Sequence, residues 1–130
     1  MPNNRAIAFV LFFGFLGAAS PAFAGSSYKV LFSFCVHNNC SNGMHADTGV
    51  IFDADGNLYG TTGGGGQLGY GEIFELTPAG GTWKETVLYS FTNKDDGEGP
   101  TGDLAMDNSG NLYGTTHSGG GPRFVGLFSN

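Results

Sequence analysis

An internal repeat of seven identical residues is the feature that most constrains the fold of this chain. The run GNLYGTT occurs at Gly56–Thr62 and again, without change, at Gly110–Thr116. Upstream of these runs, VLFSF at Val30–Phe34 is answered by VLYSF at Val87–Phe91. Matching segments in the same order indicate tandem repeats of about 55 residues, a period typical of solenoids, propellers and arrays. The longer propeller repeats come closest to this length.

The two repeats together cover the chain from about residue 28 to residue 130. We place the first repeat at about residues 28–82 and the second at about residues 83–130. A less regular downstream match supports this division, because GEIF at Gly71–Phe74 is answered by GLF at Gly126–Phe128. Residues 25–130 are therefore expected to form one β repeat domain.

The amino terminus has the pattern of a secretory signal peptide. Arg5 precedes an apolar run, Ala6–Ala19, and Ala22 and Ala24 then form an A-x-A cleavage site. The run is short for a membrane span of about 20 residues, and no second apolar run follows. The sequence predicts a signal peptide at residues 1–24, no membrane span, and a secreted or extracytoplasmic protein in the periplasm or at the cell surface.

Composition excludes several other classes of protein. The chain has 24 glycines without a Gly-X-Y period, 14% aromatic residues and only 12% charged residues. So much glycine disfavours a helical bundle, and so many aromatics disfavour disorder. The formal net charge is −6, with no basic cluster. This charge argues against binding to nucleic acid or to anionic membrane surfaces.

Short segments between glycine-rich turns predict an all-β fold of antiparallel meanders. The predicted strands are Val50–Asp53, Asn57–Thr61, Glu72–Thr77 and Trp83–Phe91 in the first repeat, Asp103–Asp107, Asn111–Thr115 and Val125–Ser129 in the second, and Tyr28–Phe34 in front of both.

The same hairpin turn is predicted in each repeat. Its residues are Asp53, Gly56 and Asn57 in the first copy and Asp107, Gly110 and Asn111 in the second. Glycine supplies the positive φ that the end of a three-residue hairpin loop requires, and the aspartate accepts hydrogen bonds from turn amides. Asp53 and Asp55 could also belong to a calcium loop. However, Gly64 stands where an EF-hand has its bidentate glutamate, which favours the turn.

The apolar pattern predicts how the sheets pack. Val50–Phe52 is apolar on both faces, and simple alternation places Val87, Tyr89 and Phe91 on one face with Leu88 and Ser90 on the other. Strands that are apolar on both sides belong to sheets covered on both sides, as in stacked propeller blades. A closed propeller has about four to eight blades, whereas two repeats give a partial propeller. We therefore expect either a fragment of a longer repeat protein or a homo-oligomer.

The cysteines and the polar loops offer little catalytic chemistry. Cys35 and Cys40 are separated by four residues, and a disulfide is favoured for an exported protein, with free thiols or a metal site including His37 and His45 as alternatives. Asp95 and Asp96 are interpreted as solvated charges in a polar loop. No Gly-x-Ser-x-Gly motif, which would indicate a serine nucleophile, occurs in the sequence. The sequence predicts no cofactor, no resident metal and no catalytic residues. Tyr59 and Tyr113 fit core positions, whereas Tyr70 and Phe124 lie in glycine-rich loops.

The order of these segments resembles a known family. The segments are Asp53–Thr62, Gly71–Pro78, Trp83–Phe91 and Asp107–Thr116. They are similar to the GloVer tandem repeat (Gloeobacter/Verrucomicrobia repeat) of choice-of-anchor bacterial surface proteins. The resemblance implies a secreted, propeller-like repeat protein without an established enzymatic activity.

Three functional hypotheses remain open. The first is a non-catalytic module that binds a glycan or a protein partner, or scaffolds a larger surface assembly. The second is an exported carbohydrate-active hydrolase or a lectin-like propeller. The third is a fragment of a longer repeat protein without an independent function.

Overall fold

The computed structural model describes residues 27–36, 38–120 and the backbone of 127–128, and the regular elements in this part are all β-strands. The predicted all-β, antiparallel character is confirmed. The strands are β1 (Ile51–Phe52), β2 (Leu58–Thr62), β3 (Glu72–Ala79), β4 (Thr82–Ser90), β5 (Glu98–Pro100), β6 (Ala105–Met106), β7 (Leu112–Tyr113), β8 (Thr116–Ser118) and β9 (Leu127–Phe128). The predicted signal peptide at residues 1–24 lies outside the described residues. Among the described residues, no helix has the length and hydrophobicity needed to cross a membrane.

Strands β1 to β4 form a four-stranded antiparallel sheet in the order β1-β2-β3-β4. We call it the sheet of the first repeat, although most of β4 falls within residues 83–130. Leu58 pairs with Leu76, and Tyr59 pairs with Glu75. We call the side of the sheet that carries Leu58, Phe74 and Leu76 the front face. The side that carries Tyr59, Ile73 and Glu75 is the back face. All five residues of β2 are buried, which fits the central position of this strand in the sheet.

A β-bulge in β4 changes the predicted alternation of its side chains. Ile73 pairs with Tyr89 and Phe74 pairs with Val87, so Leu88 is an extra residue without a partner on β3. The prediction that Val87 and Tyr89 share a face is therefore wrong. Val87 lies on the front face and is 42% exposed, whereas Leu88 and Tyr89 both pack against the back-face core. An inserted residue moves every later side chain to the other face of a strand.

The second repeat forms two smaller sheets, β6-β7-β9 and β5-β8. Met106 pairs with Leu112 as Phe52 pairs with Leu58 in the first repeat. Phe128 pairs with Leu112, and it therefore takes the register position of Leu76. The sequence match of Phe128 with Phe74 is thus shifted along the strand.

The pairing of β5 with β8 was not predicted. Its pair Glu98 and Ser118 corresponds to an isolated bridge between Met44 and Gly64 in the first repeat. The structural correspondence between the two repeats therefore extends to residues before the turns at Asp53 and Asp107. The backbone conformation supports this correspondence, because φ is 82° at both Gly43 and Gly97.

The predicted strand at Tyr28–Phe34 is wrong, because this segment has no regular secondary structure. Its two phenylalanines, Phe32 and Phe34, pack instead on the front face, where the ring centroids of Phe34 and Phe74 are 4.7 Å apart. The backbone is held by Asn42, whose Oδ1 accepts a hydrogen bond from the Cys35 amide at 2.9 Å. Alternating apolar residues form a strand only when a neighbouring strand offers ladder hydrogen bonds.

Two apolar clusters cover the sheet of the first repeat. The back-face cluster contains Tyr59, Ile73, Phe91, Leu104 and Leu112, with Ile51, Leu88, Tyr89 and Met106 packed around them. The front-face cluster contains Leu58, Phe74 and Leu76, with Phe32, Phe34 and Trp83 packed around them. The front face is not fully covered, since Phe52 is 67% exposed and Val50 is 46% exposed. The prediction that Val50–Phe52 is covered on both sides is therefore wrong for the described structure.

Candidate functional site

The turn between β1 and β2 is built around the carboxylate of Asp53. Its Oδ1 accepts hydrogen bonds from the amides of Asp55 and Asn57, both at 2.9 Å. Its Oδ2 accepts from Nδ2 of Asn57 at 2.8 Å and from the hydroxyl of Tyr59 at 3.0 Å. Gly56 has a φ of 88°, as the turn requires, and its amide donates to the Asp53 carbonyl at 3.3 Å.

The second repeat contains the same arrangement around Asp107. Oδ1 accepts from the amides of Ser109 and Asn111, both at 2.9 Å. Oδ2 accepts from Nδ2 of Asn111 at 2.7 Å and from the Tyr113 hydroxyl at 3.0 Å. Gly110 has a φ of 84°. We call each of these arrangements the Asp-Asn-Tyr turn.

Each aspartate of these turns is surrounded by hydrogen-bond donors. A carboxylate offers about four lone-pair positions, and four donors approach Asp107 and four approach Asp53, where the Tyr59 hydroxyl is shared with Oε1 of Glu75 at 3.0 Å. Asp55 takes part through its backbone amide. The geometry therefore makes the turn a structural element in which both carboxylate oxygens of Asp53 accept hydrogen bonds.

Hydrogen bonds also set the charge state of the turn. Side-chain and backbone hydrogen bonds from Asn111 lower the pKa of Asp107 to about 2. Burial raises the pKa of Asp53, but the hydrogen bonds from Asn57, Tyr59 and Asp55 outweigh it and hold this pKa below its usual value. Burial and the hydrogen bonds to Glu75 and Asp53 raise the pKa of Tyr59. The carboxylates are thus held charged and the phenol is held neutral.

Asp96 forms a third saturated turn, which corrects its interpretation as a solvated charge. Its Oδ1 accepts from the Thr92 hydroxyl at 2.6 Å and from the Lys94 amide at 3.2 Å. Its Oδ2 accepts from the Thr92 amide and the Tyr89 hydroxyl, both at 2.9 Å. Burial opposes the charge, but hydrogen bonds from Thr92, Tyr89 and Lys94 lower the pKa of Asp96 to about 2.

Two glutamates that the sequence analysis missed carry the least satisfied polar groups. Glu72 is 1% exposed, and its Oε1 accepts from the Gln67 amide and the Ser90 hydroxyl, both at 3.1 Å. Within the described part, Glu72 Oε2 and Glu85 Oε1 are buried without a hydrogen-bond partner. Burial, and then the charge of Glu72, raise the pKa of Glu85 to about 7. A signal existed in the sequence, since Glu72 is two positions before Phe74 and four before Leu76, and therefore shares their face of the strand.

The loop before the sheet contains the predicted cysteine pair. The structure joins Cys35 and Cys40 in a disulfide. The Cys40 carbonyl accepts hydrogen bonds from the amides of Gly43 at 3.0 Å and Gly66 at 2.9 Å, which attach this loop to the glycine-rich loop after β2. His37 lies outside the described residues, and His45 is exposed. Over residues 27–36 and 38–120, no three His, Cys, Asp or Glu side chains converge as metal ligands would.

The aromatic residues divide between core and surface. Tyr59 is 7% exposed, Tyr113 is half-buried, and Tyr70 in the glycine-rich loop is 38% exposed beside Leu68 at 49%. Phe124, the other predicted surface aromatic, lies outside the described residues.

Comparison with known proteins assigns the family. The family model described as the Gloeobacter/Verrucomicrobia repeat matches residues 17–129. No curated protein and no solved structure matches the chain. The matched segment contains both Asp-Asn-Tyr turns, so the resemblance inferred from their residues is confirmed. The chain belongs to the Gloeobacter/Verrucomicrobia repeat family.

Proposed function

We propose that this chain is an exported, non-catalytic repeat module, with sheets stacked in the manner of propeller blades, that binds or scaffolds at the bacterial cell surface. The observation that carries the proposal is the use of Asp53 and Asp107. Each accepts four hydrogen bonds within its own turn, in the same pattern. The repeated carboxylates therefore act in the architecture, and recognition is left to other exposed side chains.

Export follows from the signal-peptide pattern at the amino terminus, and it is tested by the mature amino terminus. Protein recovered outside the cytoplasm should begin at Gly25. Protein that begins at Met1 would contradict export by this signal.

The proposed binding surface is the exposed apolar pair in the glycine-rich loop. Leu68 and Tyr70 are 49% and 38% exposed. Aromatic rings with one polar end are common in contacts with polar partners. A surface polysaccharide of the cell envelope is the partner that this location favours.

Co-sedimentation with isolated bacterial envelopes tests this binding. We expect saturable binding that soluble envelope polysaccharide competes away and that Tyr70→Ala weakens. Ala79→Asp is the matched control, because Ala79 is exposed at the distant β3–β4 hairpin. Non-saturable binding, or equal binding by both variants, would contradict the proposed surface.

A second candidate, glycoside hydrolysis, is favoured by one observation. Burial and the charge of Glu72 raise the pKa of Glu85 to about 7, and a carboxyl group that keeps its proton near neutral pH is suited to act as a general acid. Turnover of aryl glycosides by the wild-type chain, lost in both Glu72→Gln and Glu85→Gln, would establish this candidate against the non-catalytic proposal. Our proposal expects no turnover by any of the three proteins.

A further inference from the structure

The two repeats of one chain meet through an interface with two unlike sides. The first repeat supplies its back face, with Tyr59 and Ile73, and the second repeat supplies Leu104 and Leu112. Polar contacts border this apolar contact. The Gly49 amide donates to Oδ1 of Asp103 at 2.9 Å, and the Thr61 hydroxyl donates to the Pro100 carbonyl at 3.3 Å.

The front face of the first repeat exposes residues whose counterparts in the second repeat are buried in this interface. Val50 and Phe52 are 46% and 67% exposed. Their counterparts in the second repeat are Leu104, which is 5% exposed, and Met106, which is half-buried against the same cluster. The apolar character of this surface is therefore repeated in both copies, whereas among residues 27–36 and 38–120 only the copy in the second repeat is covered.

The second repeat shows the complementary exposure. On the back face of the first repeat, Tyr59 is 7% exposed and Thr61 is 2% exposed. Their counterparts are Tyr113, which is half-buried, and Thr115, which is exposed. Both halves of a repeat-to-repeat interface are thus exposed, one on each repeat.

An aromatic pair marks the front face as a place for a preceding repeat. Tyr89 and Phe91, whose ring centroids are 5.2 Å apart, pack in the cluster that contains Leu112. Phe32 and Phe34, 5.0 Å apart, pack in the cluster that contains Leu58, the counterpart of Leu112. Phe32–Phe34 therefore takes the position that the end of β4 takes toward the next repeat.

We propose that a second copy of this chain docks on the front face of the first repeat, so that the side of its second repeat that carries Tyr113 and Thr115 contacts Val50 and Phe52. The second copy is the occupant because this chain itself carries the complementary surface around Tyr113 and Thr115. Such a contact is head-to-tail, and it builds a closed ring or an open filament. The inference rests on the proposed scaffolding role, and it names the partner as the chain itself.

Light scattering during size exclusion tests the assembly on the exported chain over a wide range of concentrations. We expect oligomers for the wild type and monomers for both Phe52→Asp and Thr115→Arg, which change opposite ends of the contact. Ala79→Asp is the control and should assemble as the wild type does. Melting and an intact Cys35–Cys40 disulfide establish that each variant is folded.

Mixing the two variants gives a sharper test. Phe52→Asp retains an intact second repeat, and Thr115→Arg retains an intact front face, so a head-to-tail contact predicts that the mixture forms dimers and no larger species. A monomeric wild type, an oligomeric Phe52→Asp variant, or a mixture without dimers would each overturn the proposal.

A different occupant of the front face would give a different experimental result. If the wild type is monomeric, protection of Phe52→Cys from thiol reagents in the uncleaved chain but not in the exported chain would mean that residues 1–24 cover this face. Envelope binding by Tyr70 is measured separately. Loss of assembly with retained envelope binding would overturn only this inference, and the reverse result would overturn only the proposed function.

Discussion

The hydroxyl of Tyr59 lies 3.0 Å from Oδ2 of Asp53, and this contact joins a polar turn to the apolar core. Tyr113 makes the same contact with Asp107, also at 3.0 Å. A tyrosine suits this position because its ring is apolar and its hydroxyl is a donor. The tyrosine follows the aspartate by six positions in both turns, with glycine and asparagine between them, and this common offset accompanies the same contact.

Replacing the turn aspartate should destabilise the fold. In Asp53→Asn, an amide NH2 group replaces one of the two carboxylate oxygens, each of which accepts two hydrogen bonds, and the negative charge is lost. We expect the free energy of unfolding, measured with urea, to fall. Asp55→Asn is the matched control, since Asp55 contributes its backbone amide to this turn. Equal effects of the two substitutions would contradict the role of the Asp53 carboxylate.

Stability should fall in acid, between about pH 4 and pH 2. The pKa values of Asp96 and Asp107 are lowered from 3.8 to about 2, and that of Asp53 is also lowered. The unfolded chain therefore takes up protons first, and stabilisation present above the unfolded pKa is lost as the pH falls through the folded one. Melting temperatures measured across this range test the sign. Asp96→Asn together with Asp107→Asn should flatten the decline, and an unchanged slope would contradict it.

Much of the repeat architecture could be predicted from the sequence because local chemistry determines it. The turns at Asp53 and Asp107, and the strands that they join, follow from residues within seven positions of each other. The bulge at Leu88 and the pairing of Glu98–Pro100 with Thr116–Ser118 could not be predicted, because both depend on register between distant segments. Tyr28–Phe34 has a strand pattern, but side-chain packing on Phe74 holds it without a ladder. Glu72 was missed because its burial depends on the loop that folds over it.

Glu85 should give the opposite pH dependence between about pH 4.5 and pH 7. Its pKa is raised from 4.5 to about 7, so the folded state retains a proton that the unfolded state has released. Stability therefore declines as the pH rises from about 4.5 to about 7 and stays lower above that range. Glu85→Gln, which stays neutral, should melt higher than the wild type at pH 8 and equally at pH 4. The exposed substitution Asp55→Asn provides the comparison, and a lower melting temperature of Glu85→Gln at pH 8 would refute this account.

The glycine of the repeated LYG segment should tolerate alanine differently in the two copies. A Cβ on Gly60 would lie 2.6 Å from the ring of Phe74, whereas a Cβ on Gly114 would lie 2.8 Å from a terminal methyl group of Leu104. A buried ring between two strands has little room to move, while the end of a leucine can change rotamer. We expect Gly60→Ala to lower the free energy of unfolding by about 1–3 kcal/mol and Gly114→Ala to lower it by less. Phe74→Leu combined with Gly60→Ala should recover part of the loss, because it removes the ring atoms nearest to the new methyl group. An equal cost at Gly60 and Gly114, without recovery in the double variant, would show that close approach to Phe74 does not determine the choice of glycine.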